Sequence, residues 1–155
     1  MFKLDSEEDL LAAFRPRDRS LVERSREVTL PRFVRNYLAW THPSGGRVYL
    51  VFAVPGGVPT GIVFDTPSDG PAVPHLCAWC HSTGLGGRVG LLTARVNSVR
   101  TVGVHVCADL SCQQKLEDEA DRAGRSVLPE MHRLLERIAI FASEGLGIDP
   151  FGANR

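Results

Sequence analysis

The chain has 155 residues, a length that suits one domain with a single core. Lysine plus arginine and aspartate plus glutamate number 18 each, which argues against a protein held to nucleic acid mainly by a strongly basic surface. Lys3 and Lys115 are the only lysines, so almost all the positive charge is arginine. Guanidinium favours planar recognition of carboxylate or phosphate, although genomic base composition also produces such a bias.

The N-terminus and the hydropathy pattern predict a cytoplasmic protein. MFKLDSEEDLLAAF carries acidic residues where a secretory signal carries basic ones, and it contains no apolar signal core. No stretch approaches the roughly 18 consecutive apolar residues that a membrane span needs. In a reducing compartment, paired cysteines are more often metal ligands than disulfides.

The first element in chain order is a short helix. Asp5 or Ser6 can cap it, acidic residues occupy its first turn, and Pro16 ends it. The stretch that follows mixes charged and apolar residues, and we interpret it as helical turns at residues 20–25 and 32–38.

A hairpin of two strands comes next. GRVYLVFAV at 46–54 and GIVFD at 61–65 are rich in β-branched and aromatic residues, and PGGVPT joins them. A loop with three prolines then runs over 66–74. We predict one domain with two lobes, an α/β lobe at 1–73 and a second lobe at 74–155.

The second lobe repeats the order of hairpin and helix. RVGLLTARV at 88–96 and RTVGVHVC at 100–107 predict two further strands, and the pattern becomes helical from Asp109. Residues 126–145 predict an amphipathic helix capped by Ser126. Its apolar residues recur at spacings of three and four: Val127, Met131, Leu134, Leu135, Ile138 and Phe141.

The four cysteines fall into two close pairs. Cys77 and Cys80 are separated by two residues, as in a zinc knuckle, and Cys107 and Cys112 are separated by four. Thiolate is a preferred zinc ligand, and four sulfurs make a closed tetrahedral site. Cys107 would end a strand, and Cys112 would enter the first turn of the next helix. Knuckle, hairpin and helix in this order predict a treble-clef finger with one structural zinc ion.

The predicted fold class is therefore α+β, a small antiparallel sheet with helices plus a treble-clef zinc finger and a C-terminal amphipathic helix. The first alternative is that the cysteines are reduced, buried and free of metal. A second is a redox pair in CAWC, but that motif should open a helix, and here glycines follow it. A third alternative keeps the zinc and replaces Cys80 by His81 as a ligand. His75 and His105 are interpreted as ordinary residues rather than donors to the ligands.

Catalytic interpretations lack partners in this sequence. A closed four-sulfur site leaves no position for an activated water, and no His-x-Glu triplet of a zinc deaminase occurs. GLGGRVG lacks the lysine of a phosphate-binding loop, so its glycines are assigned to turn geometry. We expect the protein not to be an enzyme.

The string CAWCH...GRVGLLTARV...VGVHVCADLSC resembles the zinc-binding C-terminal domain of the elongation factor G-binding family, whose members include the FusB-type fusidic acid resistance proteins. The resemblance implies that Cys77, Cys80, Cys107 and Cys112 hold the zinc. It also implies a translation-linked protein that binds elongation factor G through the finger and helps it leave the ribosome. Longer family members carry an additional N-terminal helical bundle.

The same resemblance places the partner contacts around the first ligand and along the finger hairpin. The candidate partner-binding residues are Trp79, Arg88, Arg95 and Arg100, residue types that interface hot spots use. Trp79 can equally cap the metal core, and the arginines can be plain solvated charge. An alternative function is a treble-clef module that contacts RNA or the ribosome directly.

Overall fold

The computed structural model describes residues 1–66, 75–83 and 89–152. Seven strands and three α-helices are defined in this part of the chain. In chain order they are β1 (Phe2–Leu4), α1 (Glu7–Ala12), β2 (Arg32–Val34), β3 (Tyr37–Thr41), β4 (Arg47–Phe52), β5 (Thr60–Asp65), β6 (Val89–Arg95), β7 (Thr101–Cys107), α2 (Cys112–Ala123) and α3 (Leu128–Ile140). A 3₁₀ turn at Arg19–Leu21 and a π-helical turn at Phe141–Gly145 complete them.

Five antiparallel strands form the main sheet, in the order β3-β4-β5-β6-β7, and β1 pairs with β2 in a separate ribbon. Both predicted hairpins are present. They join at the pair Asp65↔Thr93, so the sheet combines strands from both sides of the predicted lobe boundary. The division into two lobes remains a prediction.

The expected helical turn at 32–38 is wrong, since β2 and β3 occupy that stretch. The side chains alternate there as a strand requires, with Val34 buried between the exposed Phe33 and Arg35. The expected turn at 20–25 appears earlier, as the 3₁₀ turn.

Strand β4 supplies side chains to two hydrophobic cores on opposite faces of the sheet. Tyr49 and Val51 face the core that we call the N-terminal core, whereas Val48, Leu50 and Phe52 face the finger-side core. All five side chains are at most 1% exposed, which explains why this strand is continuously apolar instead of alternating.

The N-terminal core packs α1 and the β1-β2 ribbon against the sheet, and it contains Leu4, Leu10, Ala13, Phe14, Val28, Val34, Leu38, Trp40, Tyr49, Val51 and Val63. Ser6 caps α1 as predicted, because its hydroxyl accepts a hydrogen bond from the Asp9 N–H at 3.2 Å. Gly61 lies under the Phe14 ring, and a Cβ at position 61 would come within 2.6 Å of that ring.

The finger-side core contains three of the cysteines, with Cys80 packed against it, and the buried face of α3. Met131, Leu134, Leu135 and Ile138 form that face, as the spacing predicts. Val127 directly precedes the helix, while the Ser126 hydroxyl accepts from the Leu128 N–H at 3.3 Å. Among the described residues, no helix has both the length and the apolar character that crossing a bilayer requires.

Candidate metal centre

The first cysteine pair lies in a tight turn that is fastened to β7. The His81 N–H donates to the Cys77 carbonyl at 2.8 Å, and the Cys80 N–H points at the Cys77 sulfur at 3.4 Å. The Ala78 N–H donates to the His105 carbonyl at 2.8 Å, which holds the turn beside the strand that carries the third cysteine. His81 ends the turn with a φ of 63°. This is the knuckle that the two-residue spacing predicts.

The second pair spans the corner between β7 and α2. Cys107 is the last residue of the strand, and Cys112 is the first residue of the helix, as predicted. Leu110 takes a φ of 57°, and its N–H donates to the Cys107 carbonyl at 2.9 Å. The chain needs this extra turn to reverse from strand to helix. The four-residue gap is thus a consequence of the corner and keeps both sulfurs on its inner side.

All four Sγ atoms lie within 4.8 Å of one another. The Sγ atoms of Cys77 and Cys112 are 3.5 Å apart, as are those of Cys80 and Cys107. Four sulfurs about 2.3 Å from a tetrahedral zinc would be about 3.8 Å apart, so this cluster fits the ion with small adjustments.

Four thiols this close compete for protons. Hydrogen bonds among them lower the pKa of Cys80 and Cys107 and raise the pKa of Cys77 and Cys112. A divalent cation removes this conflict because it stabilises thiolate at every position. The donor set is therefore chemically suited to zinc.

Comparison with known families agrees with this geometry. The model of the FBP C-terminal treble-clef zinc-finger matches residues 17–144, more than half of the chain. The chain belongs to this treble-clef zinc-finger family. The family and the four-sulfur cluster together assign one structural zinc ion to the protein.

No curated protein matches this treble-clef protein. Among solved structures, the fusidic acid resistance protein FusC is similar, with a TM-score of 0.48 and 18% sequence identity over 73% of this chain. The matched region is 50% of the FusC chain, so the present chain spans about half the length of that protein.

Polar side chains surround the treble-clef sulfurs on the exposed side. The Lys115 ammonium donates to the Cys107 sulfur at 3.2 Å and to the Ser82 hydroxyl at 3.4 Å. That hydroxyl also lies 3.3 Å from the Cys80 sulfur. A zinc ion with four thiolates carries two net negative charges, so the lysine offsets half of them. Lys115 and Ser82 therefore position and stabilise the sulfurs of Cys80 and Cys107.

Two side chains, the buried Tyr37 and the half-buried Arg137, attach the finger to the rest of the fold. The Tyr37 hydroxyl donates to the Leu110 carbonyl and accepts from the Gln113 N–H at 3.0 Å. Burial raises the pKa of Tyr37, which keeps this hydroxyl protonated as a donor. On the other side, the Arg137 guanidinium donates to the Trp79 carbonyl at 2.6 Å. β3 and α3 thus fix the positions of the two ligand loops.

Replacing Lys115 by methionine is expected to weaken zinc binding about tenfold, because substitutions next to metal ligands usually cost 10- to 100-fold in affinity. Lys115→Met keeps the length of the side chain but removes its charge. Competition with a chromophoric chelator measures the effect. Lys3→Met, which changes the exposed lysine paired with Asp5, is the matched control and should leave zinc affinity unchanged. Equal affinities in the two variants would contradict the assigned role of Lys115.

The structure distinguishes Cys80 from His81, the alternative fourth ligand. Cys80 contributes its sulfur to the cluster, whereas His81 is exposed and lies outside it. His75 and His105 stack on each other with ring centroids 3.9 Å apart.

The predicted partner-binding residues have three different outcomes. Trp79 is only 3% exposed and packs edge-on against Phe64 and Phe141, so its ring belongs to the finger-side core, and a role at a partner surface stays a prediction. Arg88 lies outside the described residues. Arg95 and Arg100 are exposed at the turn end of the β6-β7 hairpin, and their role remains a prediction.

The sequence pattern does not identify Ser82, Lys115, Tyr37 or Arg137 as parts of the treble-clef centre. For Lys115 a signal exists, because it stands three residues after Cys112 and therefore one helical turn away on the same face. Tyr37 and Arg137 act through backbone carbonyls of residues far away in the sequence. No local pattern marks such contacts.

Proposed function

We propose that this protein is a zinc-stabilised adaptor that binds elongation factor G through its finger and promotes release of the factor from the ribosome. Membership of the treble-clef family supports the proposal, and so does the resemblance of the finger sequence to elongation factor G-binding proteins. We also propose that the protein does not act as an enzyme, because four thiolates around zinc leave no open coordination position. Protection against fusidic acid would follow from faster release of the factor.

The observation that best supports a protein-docking role is an exposed apolar surface at the zinc end of the hairpin. Leu76, next to the first ligand, is 60% exposed, and Leu91 on β6 is 40% exposed. Leu91 pairs with His105 across the hairpin, and the His75 ring covers His105. We call Leu76, Leu91, His75 and His105 the docking surface. Apolar and aromatic groups on a rigid support provide contact area at little entropic cost, as interface centres require.

Replacing Leu76 by aspartate is expected to weaken binding of elongation factor G at least tenfold, because a charge would be buried without a partner. The affinity is measured by isothermal titration calorimetry with purified elongation factor G, or by fluorescence anisotropy when the factor is titrated into the labelled protein. Leu128→Asp is the matched control, since Leu128 is similarly exposed, at 64%, and begins α3. Both variants should retain one zinc per chain.

The same variants test release of the factor. Ribosome complexes of elongation factor G formed with fusidic acid should dissociate faster when the wild-type protein or Leu128→Asp is added, but not when Leu76→Asp is added. If the wild-type protein does not bind the factor, the proposed function is wrong. If Leu76→Asp and Leu128→Asp bind equally well, the docking surface is wrongly placed.

A further inference from the structure

Two segments far apart in the sequence meet at the turn end of the β6-β7 hairpin. The Arg15 guanidinium donates to the carbonyls of Arg95 at 2.6 Å and Val96 at 3.2 Å, and it is also paired with Asp18 at 2.8 Å. Arg17 donates to the same Val96 carbonyl at 2.8 Å. The segment after α1 is therefore fastened to the hairpin turn by arginine side chains.

The hairpin turn itself is fixed by its own hydrogen bonds. The Asn97 side-chain oxygen accepts from the N–H groups of Val99 at 2.9 Å and Arg100 at 3.0 Å. The Val96 N–H donates to the Arg100 carbonyl at 2.8 Å and closes the hairpin. Arg95 and Arg100 thus project from a rigid backbone, with exposed side chains.

The result is a concentration of positive charge in a chain whose net charge is zero. We call Arg15, Arg17, Arg95 and Arg100 the arginine patch. In the described part of the chain, Asp18 is the one carboxylate recorded in an ion pair with these arginines, and its side chain is only 7% exposed.

We propose that the arginine patch binds the phosphate backbone of RNA. Guanidinium groups bind phosphate oxygens through paired N–H donors, and Arg17, Arg95 and Arg100 are exposed and without a recorded carboxylate partner among the described residues. The turn carries one large exposed apolar side chain, Val99, whereas protein interfaces centre on clusters of apolar anchors. Phosphate contacts position a nucleic acid but carry no base information, so this binding is independent of RNA sequence.

This site goes beyond the proposed docking of elongation factor G, and it lies elsewhere on the hairpin. Leu91 of the docking surface and Arg95 of the arginine patch are separated by four residues along β6, which corresponds to about 13 Å. A protein partner at the zinc end and an RNA backbone at the turn end can thus be bound together. The two activities are separable by mutation.

The test measures binding of the full chain to a fluorescein-labelled RNA duplex of about 16 base pairs by anisotropy, from about 50 to about 200 mM salt. Three phosphate contacts give a slope of log K against log salt of about −2.7. Arg17→Gln combined with Arg100→Gln should lower affinity at least tenfold at low salt and reduce the slope by about 2. Arg15 is left intact because it donates two of the three hydrogen bonds that fasten the two segments, whereas Arg17 donates one.

The matched control is Arg122→Gln combined with Arg133→Gln, which removes the same charge from α2 and α3 and should leave both quantities unchanged. Zinc content and circular dichroism establish that each variant is folded. The proposal is overturned if the wild-type chain does not bind the duplex at the lowest salt, or if both double variants lose affinity equally. It is also overturned if the double variant at Arg17 and Arg100 loses its affinity for elongation factor G but keeps its affinity for the RNA duplex. The Leu76→Asp variant should bind RNA like the wild type, so failure of either proposal is distinguishable.

Discussion

Removal of zinc is expected to unfold the finger side of the protein. Structural zinc contributes on the order of 10 kcal/mol in small fingers, which is comparable to the total stability of a typical domain. Here three of the ligands are fully buried in the finger-side core, where Cys77, Cys107 and Cys112 are 0% exposed. Without the ion, nothing neutralises the thiolates or holds the four sulfurs together, so that core would open.

The two tryptophans of the chain allow this unfolding to be followed on each face of the sheet. Trp79 belongs to the finger-side core, and Trp40 belongs to the N-terminal core. Trp40→Phe and Trp79→Phe variants each leave one reporter. On addition of a strong chelator, we expect the Trp79 emission to shift to the red as zinc is lost. The Trp40 emission should also shift to the red if unfolding of the finger-side core spreads to the N-terminal core through β4, which contributes side chains to both.

Cys77→Ser supplies the internal control for zinc removal. This variant should contain less than a tenth of an equivalent of zinc, show the red-shifted emission without chelator, and respond no further when chelator is added. If the emission of Trp79 stays unchanged after complete loss of zinc, the ion does not support the fold.

Replacement of Phe14 by alanine is expected to lower the free energy of unfolding by about 3–5 kcal/mol, because a buried ring leaves a cavity that a rigid sheet cannot close. Phe14 is 1% exposed, and its ring meets Trp40 and Tyr49 edge-on at centroid distances of 6.3 and 6.4 Å. Urea unfolding followed by Trp40 emission measures the loss.

Phe33→Ala is the matched control, since Phe33 is 67% exposed and also lies in the N-terminal part of the chain. The loss in free energy of unfolding for Phe33→Ala should stay within about 1 kcal/mol, the scale of an exposed contact with Lys3.

Gly61→Ala tests the packing of the Phe14 ring from the other side. It should cost about 1–3 kcal/mol through overlap with the Phe14 ring and much less in the Phe14→Ala background. Additive losses would show that the ring and the glycine do not share this space.

Much of the fold could be predicted because its signals are local. The capped helix α1, both central hairpins, the knuckle, and the positions of Cys107 and Cys112 at a strand end and a helix start follow from short patterns. The C-terminal helix was predicted on the same grounds, except that its last turn, Phe141–Gly145, is a π-helical turn.

Strands β2 and β3 were missed because their local pattern is ambiguous. Charged residues interrupt the apolar positions in RFVRNYLAW, so the spacing fits a weak helix as well as a strand. Pairing decides between them. Val34 pairs with Phe2 on β1, and Tyr37 pairs with Phe52 on β4, and both partners are distant in the sequence.

The details of the site that escaped prediction are tertiary for the same reason. The arginine patch joins residues about 80 positions apart, and Trp79 is buried by Phe64 and Phe141 from outside the finger hairpin. Sequence spacing identifies ligands that act as neighbours on one turn. It carries no information about which distant element covers an aromatic ring.

The arginine patch also makes this neutral molecule an electric dipole. Four arginines against one aspartate leave an excess of three positive charges at one end of the hairpin, and the zero net charge requires an equal negative excess elsewhere. Such a molecule experiences little overall attraction to a polyanion but a strong torque near it. At physiological salt the Debye length is about 8 Å, so this orientation occurs only in the last steps of approach. A negatively charged partner would therefore be met with the hairpin turn facing it.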